Sequence, residues 1–311
     1  MFKLKKRLGN LIYALGLVKP YWEIDRYRYL KRIRSQRRAD WRYAQDSDVQ
    51  QLDSGEVVIR YDKLTSPVFF YCDLRSKIEQ DIVKDQGYQP HIAKLLADFF
   101  RDDSIFVDVG ANIGFFSLLA AKQFPKMTVH AYEPNQSIYA RLKKNAVLNG
   151  SLNNLHLFSC ALADFNGTAV LHIPSPFEDN QGVASLGANI GGITKPVQQS
   201  VEVRQLDELY QNASQPISII KIDVQGFEPE VLKGGAKAIG RFRPAILLEH
   251  NDVLFDSPLV AQNKKNLLQA YFENYGYNVF YISLYGPNLL VPVKWDRPLD
   301  GDLLALPTAV M

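Results

Sequence analysis

Residues 106–117 read Phe-Val-Asp-Val-Gly-Ala-Asn-Ile-Gly-Phe-Phe-Ser. A short β-branched run, Ser104–Val109, ends beside the acid Asp108, turns through Gly110 and Gly114, and enters a helical pattern at Ile113–Phe124. Gly110 allows a tight turn without a Cβ, and the first turn of the helix leaves N–H groups free. A strand, a glycine turn and a helix in that order open a parallel sheet, in which ligands bind beyond the carboxyl ends of the strands.

The rest of the chain follows the same rhythm. Strand-like runs at Met127–Tyr132, Leu155–Cys160, Ile217–Ile222, Ala245–Leu248, Tyr277–Ser283 and Leu303–Leu306 are interleaved with helical patterns at Gln136–Leu148, Glu228–Leu232 and Leu259–Tyr275. That alternation predicts an α/β fold with helices on both faces of the sheet. Glu56–Ile59 and Val68–Tyr71 read as short strands paired ahead of it, with a helix over Gln89–Phe100. Thr168–Ile173 and Ser200–Val203 alternate like antiparallel strands, and Leu206–Tyr210 reads as a short helix. Pro174–Gly192, rich in Gly, Asn and Ser, is a long insertion that reads either as a plain connection or as a loop over an acceptor. Tyr271, Tyr275, Tyr277, Tyr281 and Tyr285 fit core packing better than stacking on a ligand.

Charge divides the chain. Residues 1–44 hold 13 basic and 3 acidic side chains, a net +10, and the remainder holds 23 and 30, a net −7. We read 1–44 as a basic helical arm and 45–311 as the globular body. Leu4, Leu8, Leu11, Ile12 and Leu15 recur at helical spacing beside Lys5, Lys6 and Arg7, a pattern suited to an anionic membrane surface. A solvated extension and a secretory signal are the rival readings, and no small-x-small cleavage site precedes Pro20. No apolar run reaches the length of a transmembrane helix. Two distant cysteines, Cys72 and Cys160, fit a reducing compartment and no structural zinc site. The reading is cytoplasmic, with the arm able to lie on a membrane.

The carboxyl ends of the strands carry the chemistry. Asp108 before the glycines would repel a pyrophosphate but suits a ligand with an ammonium group, such as the methionine part of S-adenosylmethionine. The turn lacks both the GxGxxG spacing and the lysine of a phosphate loop. Glu133 ends the next strand, where a carboxylate accepts both ribose hydroxyls of a nucleoside, whether dinucleotide or S-adenosyl. Asp164 either accepts from an adenine amino group or serves the turn before Asn166-Gly167. Asp223 ends a fourth strand and faces the same cleft, and Glu249 and His250 follow a fifth, where either can act as a general base.

Four blocks together resemble the FkbM family of methyltransferases: Asp108–Ser117, Tyr132–Asn135, Ile220–Glu228 with Val231–Gly234, and Leu247–Asn251. The resemblance covers about residues 85–285 and leaves the arm outside it. It implies a class I methyltransferase fold, a Rossmann-like, seven-stranded, mostly parallel sheet with one antiparallel strand. It also implies S-adenosyl-L-methionine as cofactor, held by Asp108, Gly110, Ala111, Asn112, Gly114, Glu133 and Asp164, with Asp223 at the transfer cleft. Many relatives carry Glu where Gln225 stands, and an uncharged Gln is not assigned as a base.

The implied reaction is O-methylation of a hydroxylated small molecule or glycan. The catalytic candidates are His250, Glu249 and Asp223. Asp223, Glu249 and His250 lack clear metal spacing, so they give a divalent metal only weak support and none is assigned. Three other classes remain. An NAD-dependent oxidoreductase is disfavoured by the missing GxGxxG. A nucleic-acid methyltransferase would use the basic arm, but the body is acidic and no Asn/Asp-Pro-Pro-aromatic block is present. A non-catalytic interaction protein would show degraded glycines or a lost Glu133, and both are intact.

Overall fold

A computed structural model of the chain describes residues 49–51, 56–61, 66–74, 76–84, 88–173, 184–186, 196–255, 257–283 and 290–308. The expected arm, most of the Pro174–Gly192 insertion and Tyr285 lie outside the described residues. The chain divides into units 1–49 and 50–311, and the second holds the elements that form the site. Among the described residues no helix is long and apolar enough to cross a membrane.

The strands are β1 (Val49–Gln51), β2 (Glu56–Tyr61), β3 (Val68–Asp73), β4 (Ile105–Val109), β5 (Thr128–Tyr132), β6 (Leu155–Phe158), β7 (Ala161–Leu162), β8 (Gly167–Ile173), β9 (Val197–Arg204), β10 (Ile217–Ile222), β11 (Ala245–Asn251), β12 (Tyr277–Ile282), β13 (Leu290–Pro292) and β14 (Asp300–Pro307). The helices are α1 (Lys77–Lys84), α2 (Pro90–Ala97), α3 (Phe115–Gln123), α4 (Gln136–Leu148), α5 (Leu206–Tyr210), α6 (Glu228–Gly234), α7 (Ala236–Phe242) and α8 (Pro258–Asn274).

The main sheet runs β13-β12-β14-β11-β10-β4-β5-β6. Strands β6, β5, β4, β10 and β11 pair in parallel, and β14 lies antiparallel between β11 and β12. The expected seven-stranded class I sheet with one reversed strand is therefore present, and β13 adds an eighth at the edge, antiparallel to β12. Leu290-Val291-Pro292 is too short, and its proline too disruptive, to read as a strand from sequence. The third strand also stops early. It ends at Phe158, and Ala161–Leu162 joins β9 and β8 in a separate small sheet. Helices α1 and α7 were not anticipated, and α7 follows α6 after the single residue Gly235.

Alternation along β4 explains the layers. Ile105, Val107 and Val109 join Ile220, Ile222, Ile246 and Leu248 in a core with Leu232 of α6, Ile239 of α7 and Leu268 and Phe272 of α8. On the opposite face Phe106 meets Phe100 at 5.2 Å between ring centroids, and Asp108 meets Ser117 of α3. Each fully buried Ile, Leu or Phe contributes about 1.5–3 kcal/mol, so both faces stabilise the sheet. Of the late tyrosines, Tyr271 and Tyr275 stack at 4.5 Å and the Tyr277 hydroxyl donates to the Pro244 carbonyl at 3.0 Å, all as packing.

The small β2–β3 pair docks on α4 through amide side chains. Asn149 Oδ1 accepts from the Phe69 N–H at 2.9 Å while its Nδ2 donates to the Phe69 carbonyl at 2.7 Å. Asn145 Oδ1 accepts from the Tyr71 N–H at 2.8 Å, and its Nδ2 donates to the Ile113 carbonyl at 3.0 Å. Asn145 thereby ties the edge of β3 to the glycine turn.

Candidate active site

Register brings the strand ends together. Val109 of β4 lies beside Tyr132 of β5 and Ile222 of β10, and Ile222 lies beside Leu248 of β11. The next residues, Gly110, Glu133, Asp223 and Glu249, all border one cavity of about 330 Å³. It opens at the carboxyl ends of the strands, where a parallel sheet places its ligands.

The glycine turn forms one wall. The N–H groups of Gly110 and Ala111 both donate to the Tyr132 carbonyl, at 3.0 and 2.9 Å. Gly110 has φ +75°, and a Cβ there would sit 1.9 Å from the Asp223 carbonyl oxygen, so only glycine fits. Gly114, φ +88°, precedes α3 and does not border the cavity; a Cβ there would meet Leu142 at 2.3 Å. Ala111 and Asn112 border the cavity. Glu133 is buried, and its oxygens accept from the Asn112 and Asn135 N–H groups at 3.0 and 2.9 Å. Burial pushes its carboxyl up to about 7, against the pull of those two hydrogen bonds.

Asp108 does not reach the cavity. It is wholly buried, accepts from Ser117 Oγ at 2.5 Å, and pairs with Lys221 Nζ at 3.2 Å. The expectation that Asp108 meets a ligand ammonium is thus corrected: the chain supplies its own ammonium, from the residue in register on β10. Lys221 also lies 3.7 Å from Asp223 and 3.4 Å from the Gly110 carbonyl. Burial works against its charge, but Asp108 and Asp223 outweigh this and hold its pKa above the ordinary value. Among the described residues it is the cation that borders the cavity.

The other wall is acidic. Asp223 Oδ1 accepts from Gln225 Nε2 at 2.8 Å. Glu249 Oε1 accepts from Asn251 Nδ2 at 2.8 Å. Burial first, then the charges of Asp223 and Asp302, raise the Glu249 carboxyl well above the usual range. Asp302 stands opposite Glu249 on β14, and burial and Asp223 push it up to about 7. Sequence reasoning missed both Asp302 and Lys221. Ser185 rests near this wall, exchanging backbone bonds with His172 and donating from Oγ to the Gln225 carbonyl at 3.2 Å.

Two further expectations are corrected. His250 does not border the cavity. It follows Glu249 on a strand, where successive side chains face opposite ways. It is buried, with Nε2 3.1 Å from Asp252 and Nδ1 3.9 Å from Glu228. Burial disfavours its charge, but the Asp252 and Glu228 carboxylates outweigh this and raise its pKa to about 9. An imidazole enclosed on the far face of the strand is out of reach as a base for a ligand in the cavity. Asp164 does not border the cavity and is paired with Lys233 Nζ at 2.6 Å. Among the described residues no group of three or more His, Cys, Asp or Glu side chains is arranged to hold a metal ion.

The residues present fit an S-adenosyl group. The Glu133 oxygens keep lone pairs for a vicinal diol beyond the two backbone bonds. The Gly110–Ile113 turn borders the cavity, and Cys160, Leu162 and Ile138 offer an apolar wall for a flat base.

In sequence the chain is similar to known methyltransferases. The family model for the methyltransferase FkbM domain matches residues 108–279. The methyltransferase sdnD of Sordaria araneosa is 31% identical over 189 residues, covering 51% of this chain and 70% of that protein. The 2-O-methyltransferase NoeI of Sinorhizobium fredii is 28% identical over 219 residues, covering 66% and 79%. The crystal structure of a methyltransferase FkbM from Methylobacillus flagellatus is 15% identical with a TM-score of 0.42, covering 73% of this chain and 52% of that one. The glycine turn, the Glu133 strand end and the Asp223 and Glu249 strand ends all fall inside the matched segment, and the chain belongs to the FkbM family of S-adenosylmethionine-dependent methyltransferases.

Proposed function

We propose that the chain methylates a hydroxyl of a sugar, a glycan or a related natural product, with Glu249 as general base and Asp223 orienting the acceptor. Bound S-adenosylmethionine supplies an electrophilic sulfonium methyl. The chain's own task is then to align a hydroxyl oxygen, exclude water and remove a proton. An alkyl hydroxyl is a weak nucleophile, and a base positioned to take its proton contributes about 10²–10⁴-fold.

The observation that carries this reading is Glu249, a carboxylate of raised basicity on the cavity wall beside Asp223. Asn251 holds one Glu249 oxygen, Gln225 holds one Asp223 oxygen, and Asp223 Oδ2 lies 3.7 Å from Lys221 Nζ, so both carboxylates are fixed on the cavity wall. Tyr88, Phe116 and Leu254 supply apolar surface that keeps water out and orients a ring. The relative NoeI, a 2-O-methyltransferase by name, supports transfer to oxygen.

Calorimetry with S-adenosylhomocysteine, on wild type and Glu133→Ala, tests the donor half. Micromolar binding, about −8 kcal/mol, is expected in wild type and lost in the variant. Radiolabelled methyl transfer to a panel of hydroxylated glycosides then tests the acceptor half. Absence of donor binding by folded protein, or transfer only to nitrogen acceptors, overturns the reading.

A further inference from the structure

His250, removed from the role of base, sits in an arrangement with another use. Gln225 and Gly226 are consecutive left-handed residues, with φ +52° and +96°. Such a conformation is unfavourable for a residue with a side chain and persists at Gln225 only where its surroundings hold it. Three bonds surround it. Gln225 Nε2 donates to Asp223, its carbonyl accepts from Ser185, and the Gly226 N–H donates to Glu228 Oε1 at 2.8 Å. The turn that aims Asp223 is therefore anchored on the Glu228 carboxylate.

Glu228 is buried, and its second oxygen, Oε2, has no hydrogen-bond partner. It faces His250 Nδ1, which also lacks one, at 3.9 Å. That separation is too long for a hydrogen bond, so the pair interacts as charges. On the far side of the imidazole, Asp252 Oδ1 lies 3.1 Å from Nε2. Asp252 Oδ2 accepts from the Leu299 N–H at 2.9 Å and lies 3.5 Å from Lys265 Nζ. The Phe255 ring, 6.0 Å away between centroids, covers a third side. The imidazole thus stands between two carboxylates from different elements, with Lys265 behind one of them.

We propose that His250 is a positioning residue: its positive charge compensates the buried Glu228 carboxylate, which fixes the Gln225–Gly226 turn and so aims Asp223 into the cavity. The proposal rests on reading Asp223 as an acceptor-side group. The pH behaviour has a definite sign. The imidazole is charged more readily folded than unfolded, so its stabilising effect is complete below about pH 6.5 and is lost as pH rises through about 9.

The test compares His250→Gln with the double variant His250→Gln/Glu228→Gln in the full chain. The single variant leaves Glu228 buried without a cation. The double variant keeps a side-chain oxygen for the Gly226 N–H and needs no cation. In the single variant Gly226 amide exchange should quicken and kcat for methyl transfer should fall about 10–100-fold, with acceptor KM and S-adenosylhomocysteine affinity little changed. The double variant should restore both and lose the alkaline decline of the wild-type rate.

A single variant that matches wild type, or a loss that Glu228→Gln leaves unrepaired, overturns the proposal. So does an NMR titration showing His250 neutral at pH 7. The exchange and NMR arms need no acceptor, so they can fail while the O-methylation reading stands, and the reverse.

Discussion

The two walls of the cavity handle charge in opposite ways. On the glycine-turn side every carboxylate is answered by the chain: Asp108 by Lys221 and Ser117, Glu133 by two backbone N–H groups. On the other side Asp223 and Glu249 border the cavity near that same lysine, Asp302 stands opposite Glu249 on β14, and burial and neighbouring carboxylates hold Glu249 and Asp302 above the usual carboxylate range. The first wall keeps its shape through those bonds, although burial still raises the Glu133 carboxyl to about 7. An overloaded wall stores its imbalance as protons. The first suits holding a ligand in place, and the second, where two carboxylates border the cavity side by side, suits accepting a proton from one.

Removing the shared cation should break the comparison most severely. Lys221→Met leaves Asp108 buried without compensation, and we expect a loss of about 3–5 kcal/mol in chemical denaturation. Adding Asp108→Asn should recover much of it. If the double variant is no more stable than the single one, the balance on the glycine side is not electrostatic.

Next comes Glu249→Gln, expected to lower methyl transfer about 10²–10⁴-fold with donor affinity little changed. In wild type the base must be deprotonated, so the rate should fall as pH drops through a value well above the ordinary carboxylate range. A rate that stays flat down to the ordinary carboxylate range would remove Glu249 from the role.

The smallest effect belongs to Asp302→Asn, which relieves one neighbouring charge. The acid limb of the rate should move down by about one pH unit. A carboxyl raised to about 7 favours the folded state below its unfolded pKa and loses that contribution as pH rises through 7. The variant should therefore gain melting temperature relative to wild type at pH 8 but not at pH 4. An unmoved limb would show that Asp302 and Glu249 titrate independently.

The glycine side was the more legible in sequence because it is local. Strand, acid, glycines and helix lie within twelve residues, and Glu133 ends the strand that follows. The acidic side is assembled by pairing. Asp302 faces Glu249 only through the antiparallel register of β14, which no local pattern reveals. Lys221 stood in the open as one cation in an apolar run, Ile217–Ile222, and a buried lysine one strand from a buried aspartate was the missed signal. His250 departs from the expectation because side chains alternate along β11: Glu249 and Asn251 share the cavity face and His250 has the other. Asp164 is taken up by Lys233, a distant partner that no local pattern reveals.

One consequence follows from Gly110. Its α-carbon lies so close to the Asp223 carbonyl that the turn and the Asp223 backbone form a single rigid part, further tied by the Asp223 N–H to the Val109 carbonyl at 3.0 Å. Neither can drift without the other, so a lineage acquiring a new acceptor has little freedom to rebuild there. Its freedom lies in the residues that border the cavity without touching that part, such as Tyr88, Leu186 and Leu254. Anyone retargeting this enzyme would begin by grafting at those three positions and leave the Gly110–Asp223 seam alone.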